Sequence, residues 1–309
     1  MSILVVGVGA TGGYFGLRLV QAGRDVTFLV RPRRAQVLRR RGLRVIGLGQ
    51  DERIEPRLVT APELDQTFDT VLLAVKASAL PPALDDLAPG VGPDTRIVPF
   101  LNGMAHLDEL DKRFGPAAVL GGVVKVLTQL DAEGDILRLA PLASLRIGAR
   151  TTHADPRLDA TAAQLSGAGF EFSVSDDITS AMWHKWVFIA TIGALTCLMR
   201  APVGDIAACP GGADLGRAVL DEAAAVSAAA GHPVPPQELA ATSALITRPG
   251  EPFASSLYRD LTEGASTEAE QILGDLSARA RGLAVATPLL DLATLHLRVY
   301  ERRRAGAAR

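Results

Sequence analysis

The sequence predicts an α/β protein: an N-terminal doubly wound, mostly parallel sheet over residues 1–175, then an all-α domain over residues 176–309. Three observations carry this. Short β-rich runs alternate with helical stretches through the first half, strand signals fade after Val174, and a glycine-rich turn stands between the first strand and the first helix.

Taken in order, Ile3-Leu4-Val5-Val6 is a continuous apolar run, as a strand covered on both faces requires. Gly12 to Ala22 has helical spacing, and Gly23 is placed to end it. Val26–Val30 reads as a second strand, and Val71–Val75 and Arg96–Phe100 as two more, with a helix over Ala79–Leu87 between them. Val126 to Ile147 alternates around Ala132-Glu133-Gly134-Asp135, which predicts a hairpin. Further on, Ile178–Met199, Ala213–Ala230, Pro236–Ile246, Glu263–Arg281 and Pro288–Arg302 read as helices, with Pro288 suited to a first turn.

Composition narrows the function. Lys+Arg total 32 against 34 Asp+Glu, a net charge of −2 that argues against nucleic acid as the main partner. With 48% hydrophobic and 21% charged residues the chain is neither disordered nor fibrous. Two cysteines, Cys197 and Cys209, make no disulfide framework, and a reducing, cytoplasmic setting is expected. No cationic stretch leads into an apolar segment at the N-terminus, so no signal peptide is expected. The apolar run Trp186–Met199 is shorter than a membrane span, and no membrane association is expected. Among the five histidines, His106, His153, His184, His232 and His296, no metal-ligand spacing occurs, so no metal is expected.

Only four of the basic residues are lysines: Lys76, Lys112, Lys125 and Lys185. Arg cannot release its proton in a protein, whereas Lys can be tuned for acid–base work, so each lysine is a candidate.

Gly7-Val8-Gly9-Ala10-Thr11-Gly12 is G-x-G-x-x-G directly between strand and helix. The first glycine permits the tight turn, the second lets backbone approach a pyrophosphate, and the third lets helix and strand pack closely. Residues 7, 9, 10, 11 and 12 are therefore the expected dinucleotide cradle. An acid that would hold ribose hydroxyls is expected at the end of the second strand, about 20 residues on. Arg31 stands there, followed by Arg33 and Arg34, with no acid before Asp51. A guanidinium grips a 2′-phosphate bidentately, so the expected cofactor is NADP(H). The later arginines, Arg39, Arg40, Arg41 and Arg44, read as a solvated helix face.

Lys76 follows one apolar strand directly, and Asn102-Gly103 follows another, both where ligands of such sheets bind. Lys185 sits in Trp183-His184-Lys185-Trp186, near the start of an apolar helix, where it either snorkels to water or faces a cleft between domains. His184 is its rival as a titrating group. A last group is Ser255-Ser256-Leu257-Tyr258-Arg259-Asp260, Gly264 and Thr267-Glu268, where Thr267 could cap a helix with Glu268 in its first turn.

Together these motifs resemble the ketopantoate reductase family: Gly7-x-Gly9-x-x-Gly12, Val75-Lys76-Ala77, Asn102-Gly103-Met104, Trp183-x-Lys185, Ser255-Ser256-Leu257-x-x-Asp260, Gly264 and Thr267-Glu268. The resemblance implies a Rossmann-type domain with a helical domain like that of 6-phosphogluconate dehydrogenase. It implies NADPH-dependent reduction of 2-dehydropantoate to pantoate, toward pantothenate. Lys185 would donate the proton, and Glu268 would hydrogen-bond the reacting substrate. Ser256 would hold the substrate carboxylate, Asn102 would touch both nicotinamide and substrate, and Lys76 would order the site. The chain departs from the family's asparagines four and eight residues after the lysine, where Ile189 and Gly193 stand. Thr191 and Thr196 are nearby hydroxyls that could compensate. The alternatives are a more apolar oxo-acid substrate or a non-catalytic NADP(H) sensor. An apolar, Ala-rich second domain also allows a homodimer.

Overall fold

In the computed structural model, which describes residues 1–151 and 155–307, the N-terminal apolar run becomes the central strand of a parallel sheet. In chain order the elements of the first half are β1 (Ser2–Val6), α1 (Ala10–Gln21), β2 (Asp25–Leu29), α2 (Pro32–Arg41), β3 (Leu43–Gly47), β4 (Gln50–Ile54) and β5 (Arg57–Val59). There follow β6 (Phe68–Leu73), α3 (Leu80–Leu87), β7 (Val91–Pro99), α4 (Ala105–Phe114), β8 (Gly121–Leu130), β9 (Ile136–Gly148), α5 (Pro156–Leu165) and β10 (Glu171–Val174). The first sheet has the order β5-β2-β1-β6-β7 with every pairing parallel, so the carboxyl ends of β1, β2, β6 and β7 share one edge.

A second sheet, in the order β10-β9-β3-β4 with β8 also on β9, is built around the hairpin that the alternation at 126–147 predicts. Strands β3, β4 and β5 have no counterpart in the sequence reading. They are three to five residues long, and Gln50-Asp51-Glu52-Arg53-Ile54 offers no apolar alternation. Helix α1 joins the sheets: Tyr14, Phe15 and Leu17 belong to one buried cluster with Ile3, Val5 and Phe28 of the first and Leu145 and Ile147 of the second. Phe15 meets Phe100 and Phe170 edge-on at 5.3 and 4.8 Å between ring centres. Buried Arg96 forms a two-point pair with Asp155 at 2.7 and 2.8 Å, and Asp155 also caps α5 by accepting from the Arg157 amide.

The remaining helices are α6 (Ile178–Met199), α7 (Val203–Ala208), α8 (Gly212–Ala229), α9 (Pro236–Ile246), α10 (Ser256–Thr262), α11 (Asp275–Gly282), preceded by a π-helical turn at Glu270–Gly274, and α12 (Pro288–Ala307). The reading of 263–281 as one helix is overturned. Gly264, at φ +71, ends α10, and residues 265–268 are irregular before the π turn. Helix α6 is long and apolar enough by composition to cross a bilayer, yet two-thirds of its most apolar stretch (67%) is buried. Two compact units emerge, one of residues 1–101 with 106–178, the other of 102–105 with 179–309.

Candidate active site

The glycine turn is shaped by what its side-chain-free positions meet. Gly7 has φ +92, and a Cβ there would lie 2.9 Å from Val75 Cγ1. A Cβ on Gly12 would overlap the Gly7 carbonyl and sit 2.7 Å from Ala74 Cβ, so the helix approaches the strand ends only because it is glycine. Gly9 faces open space, and as N-cap of α1 it offers no side-chain cap to the first-turn amides of Ala10, Thr11 and Gly12. An uncapped helix start with room in front of it suits a phosphate, so these residues fit a dinucleotide.

Arg31 is exposed as N-cap of α2, just beyond the end of β2. Lys76 is exposed beyond β6, as N-cap of a 3-10 turn over Ala77–Ala79. Both lie at the edge the glycine turn occupies, because β1, β2 and β6 are parallel. Sequence reasoning missed the brace beneath them. Arg34 donates through Nε to the Val8 carbonyl at 3.2 Å and through Nη2 to that of Gly134 at 2.9 Å, tying the glycine turn to the β8–β9 hairpin. Burial holds its guanidinium below the usual range. Its signal was present in the arginine run, but its target lies a hundred residues away.

The later arginines are not merely a solvated face, which corrects that reading. Arg41 and Arg44 turn to Asp135, whose side chain is nearly buried, at 2.9 and 3.4 Å, and Arg44 also grips Asp51. With Arg40 and Arg53 they line a concavity of about 620 Å³ at the far end of α2 from Arg31. Asp51, the first acid after β2, is thus engaged on the β3–β4 pair.

In the other unit, Lys185 is half-buried in the second turn of α6 between buried Trp183 and Trp186. Trp186, 1% exposed, donates its indole N–H to the Ile272 carbonyl at 2.8 Å, while the Ile272 amide reaches back to the Glu268 carbonyl. Gly103 lies against the Gln271 carbonyl so closely that a Cβ would overlap it. The neighbourhoods of Asn102, Lys185 and Glu268 therefore meet around Trp186 and the π turn. His184 points away, its Nε2 3.1 Å from the Pro233 carbonyl and its Nδ1 3.8 Å from Glu238.

Glu268 is half-buried and lies outside any helix, so neither it nor Thr267 plays the capping part open to them. Thr267 instead donates both its amide and its hydroxyl to Glu301 Oε1, at 2.7 and 2.9 Å. Tyr300 donates to the Ala265 carbonyl at 2.7 Å, and Arg298 pairs with both oxygens of Glu270 at 2.7 and 2.8 Å. Three neighbouring residues of α12 thus bracket Glu268. Burial pushes the Glu301 carboxyl up, but the Thr267 and Arg304 hydrogen bonds outweigh it and hold the group below its usual value. The Arg298 hydrogen bond does the same for Glu270.

Ser256 is the exposed first residue of α10, and its neighbour Ser255 caps that helix by accepting from the Tyr258 amide at 2.9 Å. Ser255 also meets the Thr196 hydroxyl at 2.8 Å, fastening α10 to α6. Leu257 covers Gly193, where a Cβ would come within 2.9 Å of its Cδ1. The Thr191 and Thr196 hydroxyls, both fully buried, donate to the Val187 and Ile192 carbonyls of their own helix. Burial pushes the Cys197 thiol up to about 12, which leaves it unreactive. Among the described residues no group of His, Cys, Asp and Glu could hold a metal ion; His153 lies outside them.

A dinucleotide cradle on a parallel sheet and a lysine–asparagine–glutamate neighbourhood in a helical unit define a nicotinamide-dependent oxidoreductase. Two family models match, "Ketopantoate reductase PanE/ApbA" over residues 3–151 and "Ketopantoate reductase PanE/ApbA C terminal" over residues 177–301. The chain belongs to the ketopantoate reductase family and is an oxo-acid reductase. It is 33% identical to an uncharacterised oxidoreductase of Bacillus subtilis, YkpB, over 97% of this chain and 99% of that one. It is 27% identical to a 2-dehydropantoate 2-reductase of Mesorhizobium japonicum, over 94% of this chain and 95% of that protein. The fold is shared with a D-mandelate dehydrogenase solved with NADH and anilino(oxo)acetate, at a TM-score of 0.89 and 23% identity over 99% of this chain and 100% of that chain.

Proposed function

We propose that the protein reduces 2-dehydropantoate to pantoate with NADPH in the cytoplasm. The convergence of the Asn102, Lys185 and Glu268 neighbourhoods on Trp186 and the π turn supports this most. Gly7, Gly9, Ala10, Thr11 and Gly12 would hold the pyrophosphate, with Arg31 at the 2′-phosphate and Lys76 and Asn102 toward the rest of the cofactor. When bound, that cofactor supplies the hydride. Lys185 holds a proton at Nζ and gives it to the carbonyl oxygen as negative charge develops there. Asn102, Ser256 and Glu268 orient the substrate by hydrogen bonds. The test is NADPH consumption with 2-dehydropantoate: Lys185→Ala, folded as judged by circular dichroism, should lose about 10²–10⁴-fold in kcat. Unchanged activity in that variant would overturn the role given to Lys185.

One observation favours a second substrate, a more apolar oxo acid. The α6 face beyond Lys185 continues through half-buried Ile189 to Gly193 under Leu257, while the Thr191 hydroxyl is spent on its own helix and that of Thr196 on its own helix and on Ser255. A site that offers a substrate hydroxyl no partner gains nothing from it. Ranking oxo acids by kcat/KM decides between the two, and a clear preference for 2-dehydropantoate dismisses the apolar reading.

A further inference from the structure

One peptide plane of the glycine turn is held by a side chain from outside it. Val8 stands between Gly7 and Gly9, and a glycine on its far side leaves the Val8–Gly9 peptide free to rotate. The carbonyl of Gly9 is committed to α1, where it accepts from the Gly13 amide at 2.9 Å, but its N–H belongs to the peptide before. Arg34 takes hold of that peptide by donating through Nε to the Val8 carbonyl at 3.2 Å. Among the described residues no peptide bond is cis. In a trans peptide the carbonyl and the following N–H point in opposite directions, so a fixed Val8 carbonyl aims the Gly9 N–H away from Arg34.

The arginine is itself anchored. Its Nη2 donates to the Gly134 carbonyl at 2.9 Å, in the turn of the β8–β9 hairpin. Gly134 has φ +85, and a Cβ there would overlap Arg34 Nη1, so glycine both makes the turn and leaves room for the guanidinium. The hairpin carboxylate Asp135 is held by Arg41 and Arg44, and acts on Arg34 only through space. Half-buried Arg34 thus spends its donors on two backbone carbonyls and keeps its charge behind the glycine turn.

We propose, on the pyrophosphate site assigned to residues 7–12, that Arg34 is a positioning residue of the cofactor turn. By holding the Val8 carbonyl against the hairpin anchor it presets the Gly9 N–H toward the pyrophosphate. An amide ordered before binding need not be ordered during it, and the saving appears as affinity. The guanidinium behind the turn adds an attractive field for the anion. Pyrophosphate is common to NADPH, NADH and ADP-ribose, so the effect of Arg34 is independent of the 2′-phosphate, unlike that of Arg31.

Isothermal titration calorimetry on the full chain tests this with NADPH and with ADP-ribose, which carries the pyrophosphate but neither nicotinamide nor 2′-phosphate. Arg34→Met keeps an apolar stem and donates nothing. It should raise Kd for ADP-ribose about tenfold, the scale of one charged hydrogen bond, and Kd for NADPH by the same factor. Arg34→Lys can still donate to one carbonyl and should recover part of the loss. Unchanged ADP-ribose affinity in Arg34→Met overturns the proposal. So does an Arg34→Lys no better than Arg34→Met, which would mark a packing role. A loss confined to NADPH overturns it as well, since Arg34 would then be a ligand of the 2′-phosphate. Wild type that binds NADPH but not ADP-ribose would remove the pyrophosphate site itself, a failure distinct from any seen only in the variants.

Discussion

Arg31 has a proposed role that can be measured at the level of one side chain. It follows β2 where an acid would favour NADH, and the first acid beyond it, Asp51, is held by Arg44. On the NADPH reading proposed above, its loss would remove a charge-assisted contact with the 2′-phosphate and nothing toward NADH. Arg31→Ala should therefore raise KM for NADPH about 10–100-fold and leave KM for NADH alone, which steady-state kinetics with both cofactors will read. Equal losses for the two would refute a phosphate ligand. Scarcity drew attention to the lysines, and the structure sorts them: Lys185 is half-buried beside the π turn, Lys76 stands at the edge the glycine turn occupies, and Lys112 and Lys125 are surface residues of α4 and β8.

The bracket that α12 makes around Glu268 is a property of elements, and it carries its own expectation. Glu301 accepts two hydrogen bonds from Thr267, so Glu301→Gln should loosen the segment without touching substrate. A loss of about tenfold in kcat is expected, on the scale of one charged hydrogen bond. KM for NADPH should hold and Glu301→Asp should recover part of the loss; stopped rates measured across these variants check this. Equal loss of kcat and NADPH affinity would point to general unfolding instead. This bracket was invisible in the sequence because Glu301 lies 34 positions from Thr267 and reads as one more acid on a charged helix. The glycine turn was legible because its chemistry is contiguous. The helices α6 and α9 were legible to their ends, since apolar content and proline set them locally. Strands β3 to β5 were not, because pairing rather than composition makes them strands. Residues 263–268 failed for a related reason: helix-forming residues there yield to Gly264 and to the tertiary hydrogen bonds of Thr267.

For the molecule as a whole, near-neutral net charge hides a dependence on a few placed carboxylates. Asp155 is held below its usual value by the Arg96 hydrogen bond, and Glu270 and Glu301 are likewise held low. A carboxyl depressed in the folded state stabilises above its unfolded pKa and loses that contribution as pH falls through the folded one. Stability should therefore be flat from neutrality down to about pH 4.5, near the unfolded carboxyl values, and fall below it. Asp155→Ala should cost about 3–5 kcal/mol at neutral pH, because it leaves the Arg96 guanidinium buried without its partner. Urea denaturation of the two proteins as a function of pH measures both effects, and a variant within 1 kcal/mol (~1 kcal/mol) of the wild type would show that Arg96 finds another partner.

A π turn is an α-helix that has accepted one residue more than its ladder needs. The turn at Glu270–Gly274 is therefore a length marker: it sets Glu268 and α11 out of the phase that continuous winding would give them. Deleting one residue within it would restore regular winding and rotate everything on its N-terminal side by about 100° relative to α11. The direction in which Glu268 faces is thus recorded in the count of residues between it and Asp275 as much as in their identity, and homologous chains that differ in that count would differ in where this acid is aimed.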